Sequence, residues 1–269
     1  METFPLRTPT ELDAMRAAGR VVAQTLQAVQ AAAVPGVRSR ELDELAQTVI
    51  REAGALPSFL GYLPVWAPTP FNGALCLSPN EIVVHGRPNG RRLSEGDLLS
   101  IDCGAIVDGW HGDSALTVRV GSGEVDEADA RLLRATELAL EAGIAAAVPG
   151  ATLLDVAMAV DGVATEHGFA HLPDHGGHGI GRSMHEAPFV PNEPTSDARR
   201  HRLRAGTTLA IEPMLHAGTR RSRYRTKKDG WAIVTTEGKR AAHFEHTVLV
   251  TDDGPEVLTA GVAAARTAY

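Results

Sequence analysis

The sequence AAAVPG occurs at residues 31–36 and again at residues 145–150, so the two copies are 114 positions apart (145 − 31). Gly54 and Gly168 keep the same offset. Each copy reads as an alanine-rich helix, a break at Val-Pro-Gly and a second helix that ends at glycine, because proline and glycine stop helices. Two copies are too few for a solenoid. The repeat therefore predicts one domain made of two related halves, although alanine-rich helices can also match by chance.

Stretches rich in apolar and β-branched residues follow each predicted helix pair. Helices followed by strands, twice, with long connections indicate an α+β fold with a largely antiparallel sheet. We predict a single domain over residues 1–269, with its halves at about 10–120 and 125–255. The predicted strands are Asp97–Val107, Trp110–Val120, Thr207–Met214, Trp231–Thr236 and His243–Val250.

Composition and charge exclude several classes of protein. With 22% charged and 43% hydrophobic residues, the 269-residue chain is typical of soluble globular proteins. Its formal net charge of −7 argues against broad nucleic-acid binding. No apolar run reaches the ~18 residues of a membrane span, and the N-terminal stretch lacks the apolar segment of a secretion signal. We therefore expect a cytoplasmic protein.

Two aspartates flank a predicted hairpin in the first half. Asp108-Gly109, between apolar runs, is a strong signal for a two-residue turn, in which Gly104 faces Asp113. Asp102 then shares that face, and the two aspartates become diagonal neighbours with Cα atoms about 7–8 Å apart. Because two converging carboxylates repel each other, the pair predicts a cation site. The alternative is that Asp102 begins a turn and Asp113 is a solvated strand end.

Single ligand-type side chains interrupt the apolar and glycine-rich segments of the second half. His178 lies in a glycine-rich stretch that fits neither a phosphate loop nor a dinucleotide-binding loop. Glu212 and Glu245 each enter an apolar strand, and a buried carboxylate needs a partner. Each glutamate could instead face water on an edge strand, and His178 could be a loop histidine.

The candidate ligands combine four carboxylates with one imidazole. This donor set favours two divalent ions of Mn, Co, Fe or Zn with bridging carboxylates. Calcium is disfavoured because no EF-hand loop is present. The predicted metal ligands are Asp102, Asp113, His178, Glu212 and Glu245.

Chemistry based on a serine or cysteine nucleophile has little support. The chain has no Gly-x-Ser-x-Gly elbow. Cys76 and Cys103 lack the surroundings of a cysteine protease, and two cysteines make neither a disulfide framework nor a four-cysteine zinc site. We expect both to be small, mostly buried residues.

The chain as a whole resembles the type I methionine aminopeptidases of the bacterial kind. The resemblance runs from about Thr8 to Thr259 and implies the duplicated pita-bread fold, in which two pairs of helices cover an antiparallel sheet. Any one matching segment is weak, but together they are highly specific. They are residues 80–86, 101–102, 108–113, 178–182, 185–186, 211–214, 228–231 and 245–247.

The resemblance implies the same five metal ligands and adds two histidines that contact substrate. Two metal ions would activate a water molecule that attacks the carbonyl after an N-terminal methionine. By the same resemblance, Glu212 moves the proton, His185 stabilises the oxyanion and His85 hydrogen-bonds the scissile amide.

The resemblance also implies an apolar pocket for the methionine side chain. The chain departs from the usual family pattern here, because a longer segment precedes Phe71, where a second tyrosine is usual, and Met184 replaces a phenylalanine. We therefore expect intact ligands beside a pocket of altered shape. The implied lining is Phe59, Tyr62, Phe71, Cys76, Met184 and Trp231.

Other members of the same fold are the main alternatives. Proline-directed aminopeptidases carry a large extra N-terminal domain, and strands that begin near residue 74 leave no room for one. Type II methionine aminopeptidases carry a long insertion where only 33 residues separate His178 from Glu212 here (212 − 178 − 1). A non-catalytic binding module would have lost ligands, and all five are present.

The expected partners are peptides with N-terminal methionine and nascent chains. The co-translational role implied by the resemblance also predicts contact with the ribosome surface, through Arg199–Arg204 or Arg220–Lys228. The alternative for the first cluster is a solvated loop. We expect a monomer that binds neither membranes nor specific nucleic acids.

Overall fold

The computed structural model describes residues 4–124 and 126–261, so the ends of the predicted 1–269 domain lie outside the described residues. It contains two pairs of α-helices. Thr8 and Thr152 begin a helix in each pair through a capping box, in which a side chain three residues on bonds the cap backbone. The helices are α1 (Pro9–Ala32), α2 (Ser39–Glu52), α3 (Glu127–Ala146) and α4 (Leu153–His167).

Fifteen short strands accompany the helices among the described residues. In the first half they are β1 (Leu56–Pro57), β2 (Leu75–Pro79), β3 (Ile82–Val84), β4 (Leu98–Val107) and β5 (Trp110–Arg119). In the second half they are β6 (Ala170–His171), β7 (Gly176–Gly179), β8 (Glu186–Pro191), β9 (Thr208–Ile211), β10 (Met214–His216), β11 (Tyr224–Thr226), β12 (Ile233–Thr235), β13 (Ala241–His243), β14 (Glu245–Thr251) and β15 (Gly254–Val257).

The central sheet runs β1-β4-β5-β14-β9-β7-β8, with β2 also paired to β4 and β15 to β14. Every pair in it is antiparallel, which confirms the predicted α+β class. The helices cover this sheet, and their apolar faces form one large core with it. Strands β5 and β14 meet at its centre, where Glu245 pairs with Ala115. This contact joins the two halves of the chain.

The repeated AAAVPG segments adopt the same conformation. Helices α1 and α3 end just before the Val-Pro-Gly breaks, and α2 and α4 each end before a glycine of positive φ, as predicted. The Gly36 N–H donates to Leu93 O at 2.8 Å, and the Gly150 N–H donates to Leu203 O at 3.0 Å. Equivalent backbone bonds thus tie each helix pair to the loop that precedes a strand of the central sheet, β4 in the first half and β9 in the second.

Three strand predictions need correction. The predicted strand Thr207–Met214 breaks at Glu212-Pro213, because proline has no N–H for the ladder. The strand predicted from His243 breaks at Phe244, where the chain passes from a three-stranded sheet to the central one. Strands begin at Leu56 and not near residue 74, since β1 pairs with the end of β4.

No helix in residues 4–124 or 126–261 is both long and apolar enough to cross a membrane.

Candidate active site

The predicted hairpin forms with the predicted register. Asp108 and Gly109 have φ values of 51° and 77°, the left-handed conformations that a type I′ turn requires. Gly104 faces Asp113 across the strands, so Asp102 and Asp113 are diagonal neighbours on one face. Asp113 is only 2% exposed, which rules out a solvated strand end.

Three neighbouring strands bring the other predicted ligands to the hairpin. His178 lies in β7, Glu212 directly follows β9, and Glu245 begins β14. Strand β9 pairs with both β7 and β14, and β14 pairs with β5 of the hairpin. Residues far apart in sequence therefore meet on one face of the sheet.

Two groups of donor atoms lie close together at this point. Asp113, His178 and Glu245 each offer one atom, all within 4.8 Å of one another. Glu212 and Glu245 form a second such group with His243. His178 Nε2 is 3.6 Å from Glu212 Oε1, which links the two groups. Asp102 borders them, because its carboxyl interacts electrostatically with Glu212 and Asp113.

The carboxyl groups of this cluster are held in an unfavourable environment. Burial raises the pKa of Asp113 and Glu245 well above the usual range, and the other carboxylates raise it further. Burial, reinforced by Glu212, raises the pKa of Asp102 to about 7. One buried oxygen on each of these three residues accepts no hydrogen bond from any described residue. Unpartnered, crowded carboxylates fit a site for divalent cations, which supply the missing positive charge.

Glu212 differs from the other three carboxyls. Burial would raise its pKa, but the imidazole of His243, 3.4 Å away, and the fields of His178 and His185 outweigh burial and lower it. Glu212 is therefore ionised at neutral pH without a cation. A carboxylate that stays ionised can accept a proton during a reaction.

His178 is oriented by its own backbone. Its Nδ1 lies 3.0 Å from Gly179 O, so Nδ1 carries the proton and donates to that carbonyl. The other ring nitrogen, Nε2, points toward Glu212. This is the arrangement that orients an imidazole ligand toward a metal ion.

His243 joins the cluster although the sequence analysis did not select it. Its Nε2 lies 3.4 Å from Glu212 Oε2 and 3.8 Å from Glu245 Oε2. The available signal was its position two residues before Glu245, because residues i and i+2 of an extended chain share a face. We read that stretch as one apolar strand interrupted by Glu245 alone.

His85 and His185 lie at the edge of the cluster. Burial lowers the pKa of His85 to about 4 and that of His185 to about 3, so both rings are neutral at pH 7. His185 Nδ1 shares a 2.9 Å hydrogen bond with Tyr62 Oη, and its ring centroid is 4.2 Å from that of His178. His85 has a φ of 58°, a conformation uncommon outside glycine, and a buried Nδ1 without a partner among the described residues.

The six residues predicted to line a pocket come together in one apolar cluster. Phe71 packs edge-on against both Phe59 and Trp231, with ring centroids 6.3 Å and 4.9 Å apart. The cluster reaches the carboxylates through Cys76, which pairs with Asp102 between strands β2 and β4. Its members are Phe59, Phe71, Cys76, Met184 and Trp231, with Tyr62 and Ala67 packed against them.

Trp66 is a second residue that the sequence analysis missed. It lies in the long irregular segment between Tyr62 and Phe71, with 56% of its surface exposed. Its ring stacks on His85 at 5.9 Å and meets Trp231 edge-on at 4.9 Å. The additional residues of this segment therefore place an aromatic side chain over the histidine at the edge of the site.

Known proteins share this architecture. The sequence profile of metallopeptidase family M24 matches residues 13–252. Methionine aminopeptidase 1 of Mycobacterium tuberculosis is 50% identical over 264 residues, 96% of this chain and 95% of that protein. Methionine aminopeptidase 1 of Bacillus subtilis is 42% identical and covers 94% of this chain and 98% of its own. The crystal structure of the Thermotoga maritima methionine aminopeptidase superposes with a TM-score of 0.89 at 40% identity, covering 96% and 99% of the two chains.

Proposed function

The chain belongs to metallopeptidase family M24, and from that premise we propose that it removes N-terminal methionine from peptides and nascent proteins by metal-dependent hydrolysis. The observation that carries this proposal is the convergence of unpartnered buried carboxylates beside an apolar pocket that contains aromatic and thioether side chains. Relatives named methionine aminopeptidase cover nearly the whole chain and support the same reaction.

The site would hold two divalent cations, of Mn, Co, Fe or Zn. Asp113, His178 and Glu245 form one donor group, and Glu212 and Glu245 belong to the other, so Glu245 is common to both groups. Asp102, whose carboxyl lies close enough to Glu212 to interact with it electrostatically, would be a further ligand. Bound divalent cations lower the pKa of a water molecule and polarise the substrate carbonyl.

Glu212 is the proposed proton carrier. Its lowered pKa leaves a carboxylate at neutral pH, placed between His178 and His243. That carboxylate takes a proton from the attacking water and passes it to the nitrogen that leaves. Burial instead raises the pKa of Asp113 and Glu245, and the neighbouring carboxylates raise it further, so neither carboxyl is held ionised by imidazoles as Glu212 is.

His85 and His185 are the proposed contacts to the peptide bond. Both rings are neutral, so each has one N–H to donate. Tyr62 holds His185 over His178, where a ring N–H of His185 stabilises the charge that develops on the carbonyl oxygen. His85 hydrogen-bonds the scissile amide from the opposite edge, beneath Trp66.

The apolar cluster is the proposed pocket for the methionine side chain. Thioether and aromatic surfaces suit a flexible thioether ligand. Met184 and Trp231 lie with Phe59 and Phe71 on its walls, and Trp66 extends it toward His85. The free amine of the substrate would face the carboxylates at the Cys76 end.

Two peptides test the proposed function. Metal-stripped protein is incubated with Met-Gly-Met-Met or with Ala-Pro-Gly, and Co or Mn is then added back. We expect release of methionine only, and only with metal. Release of alanine from the proline peptide would establish the proline-directed alternative. No release from either peptide with any metal would favour the non-catalytic alternative and refute the proposal.

The division of the domain into halves at about 10–120 and 125–255 stays a proposal. The matching helix pairs and their equivalent backbone bonds to Leu93 and Leu203 support it. Separate expression of the two segments, followed by recovery of activity on mixing, would test it. Activity in either segment alone would contradict it.

We also propose a cytoplasmic monomer that contacts the ribosome through one of two basic surfaces. Both surfaces expose basic side chains, and each contains an arginine in an ion pair: Arg200 pairs with Asp197, and Arg220 pairs with Asp161 and Glu193. The surface at Arg199–Arg204 is the first to test. Charge reversal there should abolish co-sedimentation with ribosomes, and unchanged co-sedimentation would eliminate this surface.

A further inference from the structure

His243 occupies the place in the second half that Asp113 occupies in the first. Strands β4 and β5 pair so that Gly104 faces Asp113, and strands β10 and β13 pair so that Met214 faces His243. Gly104 lies two positions after Asp102, and Met214 lies two positions after Glu212, so the facing residue in each half is two positions from a predicted carboxylate ligand. The pairing register thus relates His243 to a predicted metal ligand.

Two threonines hold these positions in the same way. The Asp113 N–H donates to Thr247 Oγ1 at 2.9 Å, and that hydroxyl donates to Asp113 O at 2.8 Å. The His243 N–H donates to Thr117 Oγ1 at 2.8 Å, and that hydroxyl donates to His243 O at 2.9 Å. A threonine from each half therefore holds the backbone of one residue in the other half. We call these two arrangements the threonine clamps. The side chains of the two held residues, Asp113 and His243, both enter the cluster.

The imidazole of His243 points toward two carboxylates through its Nε2 atom. Its ring is 2% exposed, and Nε2 has no well-formed hydrogen bond within the part of the chain that the structure describes. The nearest oxygens are those of Glu212 and Glu245, at 3.4 Å and 3.8 Å. Donor atoms bound to one ion at about 2.1 Å each lie no more than about 4 Å apart. His243 Nε2 is therefore at ligand spacing from both glutamates, and the three residues offer donor atoms within 4.8 Å of one another.

We propose that His243 is a further ligand of the metal centre, binding through Nε2 beside Glu212 and Glu245. The centre then contains two imidazoles, one from His178 and one from His243. A nitrogen donor on the Glu212 side favours Mn, Co, Fe or Zn over Mg and Ca. This inference rests on the metal centre of the proposed function. The alternative is that His243 only positions Glu212 through a hydrogen bond.

Proton NMR of the cobalt-loaded protein counts the imidazole ligands. An imidazole bound to Co(II) through Nε2 keeps its Nδ1–H, which gives a strongly shifted signal that disappears in deuterated water. We expect two such signals in the wild-type protein and one in His243→Gln. Glutamine fills similar space and can still bond Glu212, so a pure positioning role would not change the metal coordination. His246→Gln is the matched control, because His246 lies nearby and is partly buried but bonds Thr259.

Manganese titration supplies an independent readout. Loss of an outer hydrogen-bond partner of a ligand costs about 10–100-fold in metal affinity, so loss of a ligand should weaken the affinity by at least about tenfold in His243→Gln. His246→Gln should leave it unchanged.

One shifted signal in the wild-type protein would overturn the inference even if His243→Gln did not fold. Two signals in both the wild-type protein and a folded His243→Gln would overturn it as well. If the wild-type protein released methionine with cobalt while showing one signal, the proposed function would be supported and only the proposed role of His243 would be refuted. If the protein bound no divalent metal, the proposed function and the role of His243 would both be refuted.

Discussion

The hairpin β4–β5 and the strands β7, β9 and β14 build opposite sides of the same site by different means. The hairpin brings Asp102 and Asp113 together across one two-residue turn, 11 positions apart in the chain (113 − 102). His178, Glu212 and Glu245 lie on three strands, 34 and 33 positions apart (212 − 178 and 245 − 212). The first pair depends on local turn chemistry, whereas the second set depends on correct pairing of distant strands.

Because of this difference, we expect substitutions on the two sides of the site to have different effects on activity and stability. A turn of the Asp-Gly type determines register within a few residues. Distant strands need every intervening loop to close, and their pairing is stabilised by contacts such as the threonine clamps. Four experiments test the comparison, beginning with the largest expected effect.

Removal of one charge from the hairpin should abolish most activity. Asp113→Asn keeps the shape of the side chain but removes a carboxylate from the metal site. Since loss of one group that stabilises transition-state charge costs about 10²–10³ in kcat, we expect kcat/KM for Met-Gly-Met-Met to fall at least about 10²-fold. Asp108→Asn, in the turn of the same hairpin, is the control and should keep full activity, because asparagine adopts the same left-handed conformation. Equal activity in both variants would contradict the role of Asp113.

Metal binding should stabilise the protein more at pH 7.5 than at pH 5. The pKa values of Asp102, Asp113 and Glu245 are raised in the folded, metal-free protein, with that of Asp102 at about 7. Above their unfolded pKa values of about 4, the folded state binds more protons, so its stability falls as the pH rises toward 7. Metal requires the deprotonated ligands and therefore competes with protons at pH 5.

Calorimetry with manganese and with a chelator measures this effect. A metal ion at about 100 times its Kd adds about 2.7 kcal/mol, and for a chain of this size that corresponds to a rise in Tm of roughly 5–10 °C. We expect this rise at pH 7.5 and a smaller one at pH 5. Protonation of groups outside the metal centre affects the manganese sample and the chelator sample equally, so it cancels in the difference between their Tm values. An equal rise at both pH values would show that the carboxyls are not the metal ligands.

The two threonine clamps should be equally important to stability. Thr247→Val leaves the Asp113 N–H without its acceptor, and Thr117→Val does the same to the His243 N–H. Because Thr117 Oγ1 also lies 2.8 Å from the buried Ser100 Oγ, Thr117→Val is measured against a Ser100→Ala reference. An unsatisfied buried donor costs about 1–3 kcal/mol, which urea denaturation would measure for each variant. Thr48→Val, on the exposed side of α2, should change stability by less than about 0.5 kcal/mol. A large loss in one clamp variant alone would show that the two halves are not held in equivalent ways.

The pocket loop should tolerate substitution better than either set of ligands. Trp66 stacks on His85 but is more than half exposed, so Trp66→Ala removes part of the proposed pocket wall without disturbing the carboxylates. We expect the KM for Met-Gly-Met-Met to rise about two- to tenfold, equivalent to about 0.4–1.4 kcal/mol, with little change in kcat. Val65→Ala, at a fully exposed neighbour, is the control. A fall in kcat with unchanged KM would mean that Trp66 acts on the reaction through His85.

Much of the site could be predicted because its residues break local patterns. Carboxylates that enter apolar strands are costly to bury, so Glu212 and Glu245 were conspicuous in the sequence. The hairpin register followed from Asp108-Gly109, and the structure confirms it. The metal-binding and catalytic roles of these residues stay predictions, although the structure brings their side chains together.

The residues that were missed break no local pattern. His243 precedes an apolar strand as many histidines do, and only the pairing of β10 with β13 places it opposite Met214 and beside Glu212. Trp66 lies in a proline-rich segment without periodicity, and its contact with His85 depends on how that segment folds back. The strand breaks at Pro213 and Phe244 were also misjudged, because each lies where the chain changes from one sheet to another.

The sequence by itself determined the helix pairs, the hairpin and the identity of the residues suited to bind metal. These features depend on helix caps, turn conformations and the cost of buried charge, all of which act over a few neighbouring residues. Only the tertiary structure decided which distant strands pair, that His243 takes the place equivalent to Asp113, and that Trp66 covers His85. Those outcomes depend on the pairing of strands that are distant in sequence. The free energy of such pairing includes the cost of closing long loops and the contacts of many residues, so it cannot be read from a few neighbouring residues.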